Sequence, residues 1–280
     1  MTAGQAGPGL VATDLDGTLV RSDGTVSART RAALAATERA GTSVVFVTAR
    51  PHRWLADVSA LVGAHGLAIC ANGAILYDVA RQRVVTATPL TVDSVIEVVE
   101  ALRDGLPGTT FACENDAGFA REPEYRERHP LPSGVPTGRI ETLLDPLPAK
   151  LLARNETLDP DEFILRARAI VGARVEVHVS GATGLLEIAA RGVTKAAALA
   201  DWCAGHDIVA ADVWAFGDMP NDIPMLVWAG TSFAVANAHR EVLAVASHSC
   251  ASNDDDGVAA VLEMSLGGWS PGDVAGTAPD

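Results

Sequence analysis

The amino-acid sequence predicts an α/β protein: a parallel sheet with helices on both faces, interrupted by a smaller α+β unit. Three observations carry this. Near both ends of the chain, strand-length runs that are apolar at every position alternate with helical segments, as in a sheet buried on both sides. In the middle, Arg174 to Val179 alternates polar and apolar residues, which leaves one face of that strand polar. Between Arg121 and Pro148, six prolines and many charges mark an irregular excursion. These breaks divide the chain into a discontinuous core, residues 1–82 and 190–280, and an insertion over residues 83–189.

Taken in order, Leu10–Thr13 is a buried strand. Residues 27–40 form an Ala-rich helix, with Ser27 as N-cap and Gly41 as its stop. Ser43–Val47 is a second strand, residues 51–62 a helix, and Leu67–Cys70 a third strand. Residues 74–77 and 84–86 read as a hairpin and 91–106 as a helix. Asp159-Pro160-Asp161-Glu162 opens another helix: Asp159 caps it, Pro160 fits the first turn, and Glu162 is placed to bond back to the cap. On the C-terminal side, residues 193–204 form a helix, 213–216 a strand, 221–229 a short helix and Thr231–Val235 a strand. The acidic run Asp254-Asp255-Asp256 suits a helix N-terminus. Residues 1–8 and those from about 267 onward are expected to be disordered.

Composition narrows the function. Of 280 residues, 48% are hydrophobic but only 5% aromatic, so the core is built from Ala, Val and Leu. No run approaches the roughly 20 apolar residues of a membrane span. Residues 1–8 lack the basic and apolar segments of a signal peptide, so a cytoplasmic protein is expected. A net charge of −14 argues against nucleic acid or an anionic membrane as partner. It also means that an anionic small molecule needs local cations. Cys70, Cys113, Cys203 and Cys250 are far apart and are expected to be reduced and buried.

The chemistry-bearing residues follow buried strands, where open parallel sheets gather their ligands. Asp14 and Asp16 follow the first strand, Thr48 and Arg50 the second, and Asn72 and Gly73 the third. Asp218, Asn221 and Asp222 follow the strand at 213–216, and Lys195 opens the helix before it. This set suits phosphoryl transfer through an aspartyl phosphate on Asp14. Asp16, two residues on, is placed to protonate the leaving oxygen and later to take a proton from water. A divalent cation held by Asp14, Asp218 and the chain near Asp16 would offset the repulsion between carboxylate and phosphate, and Mg2+ suits an all-oxygen site. Thr48 can donate to a phosphoryl oxygen, and Lys195 supplies a compact positive charge. Arg50 is either a substrate contact or half of a surface ion pair. Asn72 and Gly73 are either substrate contacts or a turn. Asp222 either joins Asn221 around the metal or orients Lys195. His178, beside Arg174 and Glu176 on a half-polar strand, either selects substrate or lies on a solvated face.

Asp14-Leu15-Asp16-Gly17-Thr18, Thr48-Ala49-Arg50, Lys195 and Gly217-Asp218-Met219-Pro220-Asn221-Asp222 resemble the four ordered motifs of the haloacid dehalogenase superfamily. Asn72-Gly73-Ala74, Asn237-Ala238 and Asn253-Asp254-Asp255-Asp256-Gly257-Val258 resemble its Cof-type sugar-phosphatase branch. The resemblance, over roughly residues 9–265, implies a Rossmann-like core with a large α+β cap inserted between the second and third motifs. It implies Asp14 as nucleophile, Asp16 as acid/base, Lys195 as phosphate-binding lysine and Asp218 as metal ligand. Asn221 and Asp222 would support the metal or Lys195. Ala49 stands where many relatives have Gly, and Met219 where small or polar residues are common; neither removes a reactive group. The expected activity is hydrolysis of small phosphorylated metabolites, sugar phosphates first. A phosphomutase of the same superfamily and a non-catalytic binding protein on the same fold are the alternatives. Physiological substrate and oligomeric state are not written in these motifs.

Overall fold

The computed structural model describes residues 7–55, 66–131 and 133–269. The first half of the core contributes β1 (Leu10–Thr13), α1 (Ala28–Arg39), β2 (Ser43–Val47), β3 (Leu67–Cys70), β4 (Ile75–Asp78) and β5 (Arg83–Ala87). The insertion follows with α2 (Val92–Gly105), β6 (Thr110–Asn115), β7 (Gly118–Arg121), β8 (Lys150–Arg154), α3 (Pro160–Val171), β9 (Glu176–His178) and β10 (Leu186–Ala189). The chain then returns to the core through α4 (Lys195–Ala204), β11 (Val213–Gly217), α5 (Ile223–Trp228), β12 (Thr231–Val235), α6 (Arg240–Val245), β13 (His248–Cys250) and α7 (Gly257–Leu266).

The core sheet runs β13-β12-β11-β1-β2-β3-β4-β5. Its strands from β13 to β3 are parallel, while β4 and β5 turn back as an antiparallel hairpin at one edge. β1 is the switch point: the chain winds outward to β3 on one side and to β13 on the other, the doubly wound order that opens a crevice at the strand ends. Alternate residues of β1 serve opposite faces. Val11 joins Val44, Phe46, Trp214 and Phe216 under α1 and α7. Leu10 and Ala12 join Val45, Val47, Val213 and Ala215 under α4, α5 and α6. Both faces are thus dry, which is why these strands are apolar throughout.

The insertion is a five-stranded antiparallel sheet, β7-β6-β8-β10-β9, with α2 and α3 on one face. Phe111, Cys113, Leu151, Ala153, Leu186 and Ile188 face those helices. The alternate positions Glu114, Lys150, Leu152, Arg154 and Glu187 face the crevice above the core strands. Residues 83–87, expected in the insertion, instead pair with β4 as β5 of the core sheet. At α3, Asp159 accepts from the amides of Asp161 and Glu162 as expected, but the Glu162 carboxylate pairs with Arg166 instead of reaching back to the cap.

Residues 56–62 of the expected helix lie outside the described residues; its first part is a 3-10 turn at His52–Trp54. Residues 1–6 and 270–280 also lie outside. Gly267 to Trp269, expected to be disordered, close α7, and the Trp269 ring meets Trp214 edge-on at 6.1 Å. Pro8 is buried, and its carbonyl accepts from Thr42. The four cysteines are free thiols, three of them buried. Asp256, at the head of α7, is tied to Arg21 and Thr30. No described helix is long and apolar enough to cross a membrane.

Candidate active site

Strand register sets the floor of the crevice. Thr13 lies beside Phe216 in β11 and Phe46 in β2, so the residues that leave these strands emerge together. Asp14, Thr48 and Asp218 are all buried there. Two features of the turn at Gly17 and Thr18 permit this. Gly17 has φ +81°, and a Cβ at that position would lie 2.4 Å from Asp218 Oδ2, so the turn after Asp14 closes onto the second acidic loop only without a side chain. Thr18 Oγ1, next to it, donates to Asp218 Oδ1 at 2.7 Å.

Lys195 is the centre of charge. α4, capped by Thr194, begins with this lysine and drives it into the sheet until 1% of its side chain is exposed. Nζ lies 2.5 Å from both Asp14 Oδ1 and Asp222 Oδ1. Burial works against its charge, but the two aspartates more than offset that and raise the ammonium above its ordinary value. Burial pushes the Asp14 carboxyl well above its usual range, against the pull of Lys195. Burial and then Asp222 push Asp218 up to about 6. The other oxygen of Asp222 accepts from the amides of Asp218 and Met219. Both ends of that carboxylate are therefore committed, to Lys195 and to its own loop.

Carboxylate oxygens of Asp14, Asp218 and Asp222 lie within 4.8 Å of one another. With Asp222 committed, Asp14 and Asp218 are the carboxylates with room for a cation. Asn221, at the rim, donates through Nδ2 to Asn72, while its Oδ1 is buried without a partner. Asp14 and Asp218 offer hard carboxylate oxygens, which fit a Mg2+-like ion, and the unpaired Asn221 amide oxygen is a further hard donor on the crevice lining.

The remaining sequence-predicted residues divide. Arg50 grips Asp16 in a bidentate pair, Nε to Oδ2 at 2.7 Å and Nη2 to Oδ1 at 2.5 Å, and both line the crevice. Thr48 Oγ1 accepts from the Arg50 amide and so shapes that loop. Asn72 does not reach the crevice lining. It is fully buried at φ +58° and bridges Asn221 to Glu187 of β10. Gly73 lies beneath α4, where a Cβ would come within 2.3 Å of the Thr194 carbonyl. Gly73→Ala is therefore expected to cost more than about 2 kcal/mol, since φ +109° and a backbone oxygen both oppose it. Denaturant titration reads that loss; an unchanged midpoint would show that α4 can shift. His178 is buried, with Nε2 3.0 Å from the Val193 carbonyl at the return to the core, and it is not among the lining residues. Arg174 and Glu176 bond to backbone away from the crevice.

Sequence reasoning missed the upper wall. Above the floor the crevice encloses about 550 Å³. Lys150 reaches from β8 to the Ala49 carbonyl at 2.8 Å and pairs with Glu187 at 2.5 Å. Arg53 pairs with Glu114 through two bonds, and its guanidinium lies 4.6 Å from the Trp54 ring centre. One signal was available: the chain has only two lysines, Lys150 and Lys195, and both are buried in this crevice.

A doubly wound core that brings a buried Asp–Lys–Asp cluster to its strand ends, under an inserted cap, defines a hydrolase of the phosphoryl-transfer kind. The chain belongs to the haloacid dehalogenase-like hydrolases, whose sequence profile matches residues 11–262, and within them to the Cof-type phosphatase branch. It is 30% identical over 271 residues to a pyridoxal phosphate phosphatase, YbhA, of Escherichia coli, covering 92% of this chain and 98% of that one. It is 27% identical over 269 residues to a 5-amino-6-(5-phospho-D-ribitylamino)uracil phosphatase, YitU, of Bacillus subtilis, covering 91% and 97%. A solved phosphatase of the superfamily from Bacteroides thetaiotaomicron shares the fold with a TM-score of 0.79 at 20% identity, covering 96% of this chain and 98% of that one.

Proposed function

We propose that this protein is a Mg2+-dependent phosphatase that hydrolyses small phosphate monoesters through an aspartyl phosphate on Asp14. The observation that carries this is the Lys195 bridge. It fixes one Asp14 oxygen and leaves the other to attack phosphorus at the floor of a crevice large enough for a small metabolite. Attack forms the Asp14 O–P bond and breaks the bond from phosphorus to the ester oxygen, which takes a proton from Asp16. Water then attacks the acyl phosphate, returns a proton to Asp16 and releases inorganic phosphate. Arg50 holds Asp16 at the crevice wall as a bidentate ion pair, and Asp16 releases one of those two bonds to carry the proton. Lys195 and the Thr48 hydroxyl stabilise charge on the transferring group, and Asp222 orients Lys195. Asp14, Asp218 and Asn221 Oδ1 would hold the ion, which when bound neutralises the carboxylate–phosphate repulsion. The crevice of about 550 Å³ has room for a small metabolite, and the two named relatives are phosphatases of such compounds, so a small phosphorylated metabolite is the expected substrate class.

Cation binding should depend on pH in a definite direction. Asp218, pushed up to about 6, must lose its proton to become a ligand. Mg2+ affinity is therefore expected to fall by at least roughly tenfold per pH unit as pH drops below about 6. The Mg2+-induced rise in Tm, titrated at pH 5 and pH 7.5, reads this; equal affinities at both would remove Asp218 from the site. Chelation with EDTA should abolish release of phosphate from p-nitrophenyl phosphate, and full activity in EDTA would overturn the metal dependence.

A further inference from the structure

The cations of the crevice are matched to carboxylates, with one exception. Arg50 pairs with Asp16, Arg53 with Glu114 and Lys150 with Glu187. Arg154, on the crevice face of β8, has no carboxylate within ion-pair distance among the described residues, although only 4% of it is exposed. Its Nη1 donates to the Thr183 carbonyl at 2.9 Å, and its Nε is sealed from solvent with no hydrogen-bond partner. Around it lie the buried Tyr125 and Leu152. Glu127, the lining carboxylate without an ion pair among the described residues, turns Oε1 to the amides of Arg128 and His129. The guanidinium therefore meets only neutral oxygens, the Thr183 carbonyl and the Tyr125 hydroxyl, and a buried cation with neutral partners alone is costly until an anion reaches it.

We propose that Arg154 receives a second anionic group of the substrate, a carboxylate or a further phosphoryl group, while the ester phosphate lies over Asp14. The placement of that first phosphate rests on the phosphatase reading above. β8 separates the two ends. Lys150 reaches down to Ala49, and Arg154 lies four residues further on the same face, about 13 Å along the strand. The substrate class is thus an elongated phosphate monoester with an acidic tail, recognised by the guanidinium N–H groups that the Thr183 carbonyl leaves free.

Binding to the Asp14→Asn protein in Mg2+, measured by calorimetry, tests this without turnover. The ligands are two matched pairs: 6-phosphogluconate against glucose 6-phosphate for a carboxylate tail, and fructose 1,6-bisphosphate against fructose 6-phosphate for a phosphoryl tail. In at least one pair the acidic-tailed ligand is expected to bind roughly tenfold tighter or more. That ratio should fall to near one when Arg154→Met is added, and to an intermediate value with Arg154→Lys, which keeps the charge and loses the guanidinium. Equal affinities within both pairs, or a ratio untouched by Arg154→Met, overturn the proposal. Hydrolysis of p-nitrophenyl phosphate by the unsubstituted protein is read separately. Its absence would sink the Asp14 chemistry and leave the binding ratio to decide Arg154.

Discussion

Asp14→Asn is expected to lower the turnover of p-nitrophenyl phosphate by at least about 10⁴-fold while leaving the fold intact. The amide has the shape of the carboxylate but is a far poorer nucleophile, so the aspartyl phosphate cannot form. The stability of the variant makes the result diagnostic. Asp14 sits where burial disfavours its charge, and Asp222 and Asp218 add like charge around it. A neutral isostere removes that penalty, and Lys195 keeps Asp222 as its partner. The metal-free variant should therefore melt no lower than the parent. Activity lost together with stability would point to a structural aspartate, and retained activity would remove Asp14 as nucleophile. Activity lost at an unchanged or higher Tm is the behaviour of a residue kept for chemistry at the expense of stability.

The floor of this site was legible in the sequence because each of its residues directly follows a strand that is apolar on both faces. Such runs identify themselves, and the parallel register then sets Asp14, Thr48 and Asp218 side by side with no further information. Lys195 was legible for a related reason, standing at the capped start of a helix that packs under the sheet. The wall was not. Glu114, Lys150 and Glu187 come from three antiparallel strands distant in sequence, and they meet only through the pairing of β6, β8 and β10. Period-two alternation reports which residues share a face and not what covers that face. His178 shows the consequence: it belongs to the face expected to be polar, yet it is the buried residue of its strand, covered by the chain returning at Val193. Asn72 and Gly73 follow a strand as the residues of the floor do. Their positive φ values turn the chain beneath α4, behind the crevice lining, and an Asn-Gly pair states the bend without its direction.

Lys195→Met should be the most destabilising single change in the site as well as an inactivating one. The parent buries Asp14 and Asp222 against one ammonium, each at 2.5 Å. Removing the cation strands two carboxylates in a dry floor beside a third, Asp218, and breaking such a buried pair costs about 3–5 kcal/mol. For a chain of this size that is a fall in Tm of roughly 10 °C. The pH dependence follows from the direction of the shifts. Asp218 already has a folded value near 6 against an ordinary 3.8, so its contribution is complete below about 4 and is lost as pH rises through 6. Without Lys195, Asp14 should behave in the same way. The gap between parent and variant is then smallest near pH 4 and widest above pH 7. A double variant separates charge from packing. Asp14→Asn added to Lys195→Met removes one of the stranded carboxylates, so it should recover a good part of the lost stability at pH 7.5 and little at pH 4. Additive losses in that cycle would mean that the methylene stem of Lys195, and not its charge, holds the floor together.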